Sequence, residues 1–132
     1  MDLSAYRCLL VEDNELNAVI ATDILEESGL QIDHVWDGAQ AVEAMQGAAD
    51  DYYDIVLMDI QMPKMNGYDA TRAIRADERA YLRRVPIVAM TANAFAEDVQ
   101  AARTAGMNAH IAKPLDLKVL AGIMTKYLLK RN

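Results

Sequence analysis

Five times along this chain a short apolar run gives way to a segment of helix length. The runs are "RCLLVED", "LQIDHVW", "DIVLMD", "VPIVAMT" and "NAHIAKP". Each has the length of a strand, and turn residues follow it. Consecutive parallel strands need a crossover, usually a helix. Five strand–helix units therefore predict an α/β fold, a parallel sheet with helices on both faces and right-handed connections. The central runs are continuously apolar, as strands buried on both sides must be.

The intervening segments carry helix signals. In "NELNAVIATDILEESG", Leu16, Ile20 and Ile24 recur at i, i+4 and i+8, with Ala21 and Leu25 alongside, and Gly29 stops the helix. Asp37 is the predicted cap of "DGAQAVEAMQG". Gly67, free to take a positive φ, is expected to open a third helix running to about Asp77. "AFAEDVQAARTAG" is the fourth helix, with Gly106 as its stop. Asp116 is the predicted cap of the last, whose apolar stripe is Leu120, Ile123, Met124, Tyr127 and Leu128.

At 132 residues and 53% hydrophobic, the chain suits one domain with one core. It has no apolar run of about 18 residues, so no membrane span is expected. Its start lacks the pattern of a signal peptide, and its single cysteine, Cys8, lies in an apolar run as a core residue would. A cytoplasmic location fits. The net charge of −7 argues against nucleic-acid binding by this domain. Residues 1–59 hold fourteen acids against Arg7 alone, whereas residues 60–132 hold six acids and twelve bases. An acidic half that binds a cation and a basic half that meets an anion would explain this split; an unevenly charged solvated surface would also do so. The five arginines of "RAIRADERAYLRR" read as a solvated face, with an acidic partner surface as the alternative.

Open parallel sheets bind ligands beyond the carboxyl ends of their strands. Glu12 and Asp13 stand at the end of the first strand, Asp59 ends the third and Thr91 the fourth, and Lys113 follows the fifth. Singly, each is an ordinary turn, capping or surface residue. Together they are a chemical set. If strands one and three are neighbours, three carboxylates crowd one pocket and repel unless a cation neutralises them. All-oxygen ligation suits Mg²⁺ or a similar hard ion, which keeps open positions for a phosphoryl group. Lys113 offers a charge to a phosphoryl oxygen and Thr91 a hydroxyl, leaving Asp59 as a nucleophile that would form an aspartyl phosphate.

The motifs "LLVEDN", "LMDIQMPKMNGYDATRAIR", "VPIVAMTAN" and "AGMNAHIAKP" resemble the receiver domains of two-component response regulators, over about residues 6–129. The wording is most similar to receivers of hybrid sensor histidine kinases. The resemblance implies a flavodoxin-like sheet of strand order 2-1-3-4-5 in a single domain spanning residues 1–132. It implies Asp59 as phosphoacceptor, and a Mg²⁺ (or Mn²⁺) site of Asp13, Asp59, Glu12 and the backbone carbonyl of Gln61. Thr91 matches the switch hydroxyl, Lys113 the phosphoryl-pairing lysine, and the Lys113–Pro114 bond a peptide commonly cis in the family. Gln61 and Asn93 stand where the lifetime of the aspartyl phosphate is set. The implied partner is a histidine kinase or histidine phosphotransfer domain, docking on the first helix and the loop after Lys113. The unit itself would be a monomer or weak dimer with no membrane contact. His110 occupies the position where the family usually has Phe or Tyr as the inward-turning switch residue. It is either a switch whose charge responds to pH or an imidazole at a strand end with no switching role.

Rival readings lack residues they need. An aspartyl phosphatase of the haloacid-dehalogenase kind needs a second Asp where Gln61 stands. A flavin or nucleotide binder needs a phosphate-cradling loop where "VEDNELN" offers carboxylates. A pseudo-receiver, which binds partners without phosphorylation, would not need the complete set of Glu12, Asp13, Asp59, Thr91 and Lys113. The unit is thus expected to catalyse its own phosphotransfer and dephosphorylation rather than act as a conventional enzyme.

Overall fold

A computed structural model describes residues 2–62, 65–92, 96–113 and 115–129, without the side chains of residues 96, 97 and 117. Five strands, β1 (Arg7–Val11), β2 (Gln31–Val35), β3 (Ile55–Asp59), β4 (Ile87–Thr91) and β5 (Ala109–Ala112), form one parallel sheet. Their order is β2-β1-β3-β4-β5, as expected. The helices are α1 (Glu15–Glu26), α2 (Gly38–Gly47), α3 (Gly67–Arg75), α4 (Ala80–Arg84), α5 (Ala96–Ala105) and α6 (Leu117–Met124). A π-helical turn, Thr125–Leu129, follows α6.

Period-two alternation sorts the strand side chains into two cores. Leu9, Val11, Val56, Met58, Ile87 and Ala89 meet Ala41 and Met45 of α2, Ala70 and Ile74 of α3, Leu82 of α4 and Ala102 of α5. Cys8, Leu10, Ile55, Leu57, Val88, Met90 and Ile111 meet Ala21 and Leu25 of α1 and Leu120 and Met124 of α6. Every residue of β3 and β4 is buried, because both faces are covered. Cys8 is fully enclosed, and burial pushes its thiol up to about 12, so it is an inert core residue.

The predicted caps are present: Asp37 accepts from Gln40 N and Asp116 from Lys118 N at 2.8 Å. Asn14 likewise caps α1, accepting from Asn17 N. Gly29 and Gly106 end their helices with φ of 88° and 108°. Three expectations change. First, α3 stops at Arg75, not Asp77: the short α4 follows it, entered by a turn in which Asp77 Oδ1 accepts from Arg79 N. Second, Gly67 does not take a positive φ. It sits in the first turn of α3 against the end of β3, where a Cβ would fall on the carbonyl oxygen of Asp59. Glycine is required there for close backbone approach. Third, α1 turns Ala18, Ala21 and Leu25 to the sheet and leaves Leu16 66% and Ile20 44% exposed. The helix is apolar on more than one side, and packing against the sheet selects the face of Ala18, Ala21 and Leu25.

The arginine-rich segment works inside the fold. Arg79 bridges to Asp50 at 2.7 Å and donates to the carbonyls of Gln46 and Ala48, tying α4 to the end of α2. Arg84 pairs with Asp51 at 2.7 Å and Arg72 with Asp69 at 3.2 Å, while Arg83 donates to the Asp77 carbonyl. Arg75, largely buried, donates to Gly106 O, Leu82 O and Asn108 Oδ1.

Candidate functional site at the carboxyl edge of the sheet

The strand order brings β1 beside β3, β3 beside β4 and β4 beside β5, with Val11 opposite Met58, Asp59 opposite Met90 and Thr91 opposite Ala112. The next residue along each strand then reaches one edge of the sheet. A cleft of about 260 Å³ opens there. Glu12, Asp13, Asp59, Gln61, Thr91 and Lys113 all line it. Glu12 (1% exposed), Asp59 (5%) and Thr91 (7%) are buried polar residues, whereas Asp13 is exposed.

Each of Glu12, Asp13 and Asp59 can offer one carboxylate oxygen within 4.8 Å of the others. Lys113 Nζ lies 3.0 Å from Asp59 Oδ2 and 3.0 Å from Glu12 Oε2. Its backbone N–H donates to Thr91 O at 2.8 Å, which fixes the start of the lysine side chain against β4. Gln61 N donates to Asp59 Oδ1 at 3.3 Å, so the loop after β3 folds back over the carboxylate. His34, on the edge strand, stacks on Trp36 and its Nε2 lies 2.9 Å from Glu12 O, bracing the end of β1.

Among the described lining residues one ammonium faces several carboxylates, and burial and charge together set the ionisation of the site. Burial, reinforced by the proximity of Glu12, raises the Asp59 carboxyl to about 7 against the opposing pull of Lys113. Burial also disfavours charge on Lys113, but hydrogen bonds and charge from Glu12 and Asp59 outweigh it, so the lysine is held above its usual range. The Asp59 shift owes most to burial, whereas the Lys113 shift reports the negative charge of its neighbours. The donor set is all oxygen, partly open and short of positive charge, which fits a hard divalent cation.

Several site features were not evident from the sequence. Asn17 and Asp98 line the same cleft, reaching it from α1 and α5. Neither stands at a strand end, and only the packing of their helices brings them in. His110 is half-buried and borders a small crevice with Val99, Ala102 and Arg103 of α5, so its surroundings belong to that helix. Met62 and Met65 pack on the core beneath the loop after β3, as a loop anchor should. The Lys113–Pro114 bond and Asn93 fall outside the described residues.

Residues 8–125 match the response regulator receiver domain family. Hybrid signal transduction histidine kinase L of Dictyostelium discoideum is 38% identical over 92% of this chain and 7% of that protein. Across the first curated relatives the chain spans only 7–15% of their length. The receiver domain of sensor histidine kinase PA1611 from Pseudomonas aeruginosa, with a magnesium ion coordinated in its active-site cleft, superposes with a TM-score of 0.82. It is 41% identical, over 92% of this chain and 96% of that one. The receiver domain of Ssk1 from Saccharomyces cerevisiae, solved with the histidine phosphotransfer protein Ypd1, gives a TM-score of 0.80 at 26% identity, over 92% and 88% of the two chains.

Proposed function

Because this chain belongs to the response regulator receiver family, we propose that it takes a phosphoryl group from a phosphohistidine onto Asp59 and changes its surface in response. The observation that carries the reading is the Asp59 carboxylate, held rigidly at the end of a buried strand, 3.0 Å from Lys113 Nζ and within reach of two further carboxylates. In the transfer an oxygen of Asp59 bonds to phosphorus as the phosphorus–nitrogen bond of the donor histidine breaks. The bonding electrons leave with the imidazole. Lys113, now shared between Asp59 and Glu12, is placed to neutralise a phosphoryl oxygen, and Thr91 to donate its hydroxyl to another. Asp13, Asp59, Glu12 and the carbonyl of Gln61 would hold Mg²⁺, which when bound offsets the charge of the carboxylates and the incoming phosphoryl group. His110, against α5, is a candidate to carry the change onward. We read residues 1–132 as a single receiver unit with its core at about residues 6–129. None of the described helices is long and apolar enough to cross a membrane.

Incubating the protein with Mg²⁺ and acetyl phosphate should add one phosphoryl mass, and Asp59→Asn should abolish the gain. An unchanged gain in Asp59→Asn would move the acceptor elsewhere. No gain in a parent that binds Mg²⁺ would end the proposal.

The donor surface follows from the exposed side of α1. Leu16 and Ile20 face solvent beside the cleft, and Ile20, Ala21, Met90 and Leu115 line an apolar groove that runs to Lys113. A phosphohistidine-bearing donor domain docking here would bury both residues. Ile20→Glu should therefore slow transfer from a phosphotransfer protein by about tenfold, with the acetyl phosphate rate unchanged. Equal slowing with both donors would place the defect in the cleft instead.

A further inference from the structure

We propose that Asp98 is a positioning residue of this site: it senses the charge of the phosphoryl group and transmits it to α5 as a lever. The inference rests on the acceptor reading of Asp59. Asp98 lies in the first turn of α5 and lines the cleft that holds Asp59, Thr91 and Lys113. Among the described lining residues it is the fourth carboxylate, against Lys113 as the lone ammonium. The charge of Asp98 is also felt by the phenol of Tyr68, which burial and that carboxylate together hold above its usual range.

The two ends of α5 are held differently. At its carboxyl end, Arg75 Nε donates to Gly106 O at 3.0 Å and Nη2 to Asn108 Oδ1 at 2.9 Å. Asn108 is itself tied to β4 through Ile87, by bonds of 2.9 and 2.8 Å. Met107 N closes back on Ala102 O, and Ala102, Ala105 and Met107 are buried. At the other end, among the described residues, Tyr68 Oη donates to the Asp98 carbonyl at 3.4 Å, near the limit of a useful hydrogen bond. Among the described residues, the helix is thus clamped where it meets β5 and lightly held where it meets the cleft.

Phosphorylation replaces one carboxylate charge on Asp59 with a phosphoryl charge of about −2. Glu12 is buried and ion-paired and Asp13 follows a rigid strand, so neither yields easily. Asp98 sits on the movable end. Repulsion turns α5 outward about the Arg75–Gly106–Asn108 clamp, and the light Tyr68 contact gives way. This route to α5 does not pass through Thr91 or His110.

The test compares the parent, Asp98→Asn and Asp98→Glu in Mg²⁺, with and without acetyl phosphate. Intact mass reports phosphoryl gain, and hydrogen exchange reports the amides of α5. In the parent, phosphorylation should speed exchange in the first half of α5 by about tenfold and leave the Arg103–Gly106 end unchanged; that is the scale of one charge at several ångströms in a partly wet site. Asp98→Asn should gain the phosphoryl mass yet lose most of the exchange response, and Asp98→Glu should keep it. A full response in phosphorylated Asp98→Asn would overturn the lever while leaving the acceptor intact. Absence of phosphoryl mass in the parent would overturn both.

Discussion

Gly67→Ala should cost the protein roughly 3 kcal/mol or more and weaken Mg²⁺ binding at least about tenfold. A Cβ at this position would overlap the carbonyl oxygen of Asp59 and lie 3.0 Å from Ile60 Cα. Both obstacles are backbone, so no rotamer change relieves them. Gly67 N also donates to Ile60 O at 2.9 Å, which binds the start of α3 to the chain leaving β3. Making room for a methyl group must move one or the other, and the chain beyond Asp59 carries Gln61 of the proposed metal site. Gly122→Ala is the internal control. Gly122 lies inside α6, and a Cβ added there would meet nothing within 4 Å, so alanine should stabilise the helix by about 0.5–1 kcal/mol. Urea unfolding of both variants measures the difference. Equal effects at the two sites would mean that close approach is not what position 67 requires.

Asp59→Asn should stabilise the metal-free protein at pH 8 by roughly 1–3 kcal/mol, even though it removes the proposed phosphoacceptor. The folded carboxyl holds its proton up to about pH 7, against a usual value of 3.8. The corresponding stability is fully present below pH 3.8 and is lost as pH rises through about 7. Its full linkage value is about 4 kcal/mol, since each tenfold gain in proton affinity on folding is worth about 1.4 kcal/mol. Asparagine has the same shape and no such loss. The gain is smaller than the full value because Asn also gives up the contact with Lys113, which keeps Glu12. Parent and variant should therefore be close near pH 4 and diverge up to pH 8. Saturating Mg²⁺ should close the gap, because it stabilises only the protein that binds it. A variant less stable than the parent at pH 8 in EDTA would show that the Asp59–Lys113 pair outweighs the crowding of carboxylates.

The parts of the fold that were legible in the sequence are those with a local signal. A strand buried on both faces, such as Ile55–Asp59, must be a continuous apolar run, and its first charged residue marks where it meets the cleft at the sheet edge. That is why "IVLMD" marked both a central strand and its functional end. Caps are equally local: Asn14, Asp37 and Asp116 each serve amides two or three residues on. Arg79 and Arg75 gave no such sign. Both lie in a basic segment that reads as solvated, yet their bonds reach 29 to 33 residues away. The short α4 between them and β4 has no apolar stripe long enough to announce a helix.

By itself, then, the sequence determined the alternation of strands and helices, the caps, and the carboxylates, hydroxyl and lysine at the strand ends, because each depends on neighbours along the chain. Only the tertiary structure decided the face that α1 buries, since both of its sides are apolar and the sheet covers only that of Ala18, Ala21 and Leu25. It alone gave the reason for Gly67, whose constraint is the carbonyl oxygen of Asp59 rather than its own φ. It alone brought Asp98 to the cleft that Asp59 lines and clamped the far end of its helix with Arg75, because these are contacts between separate elements that no local pattern encodes.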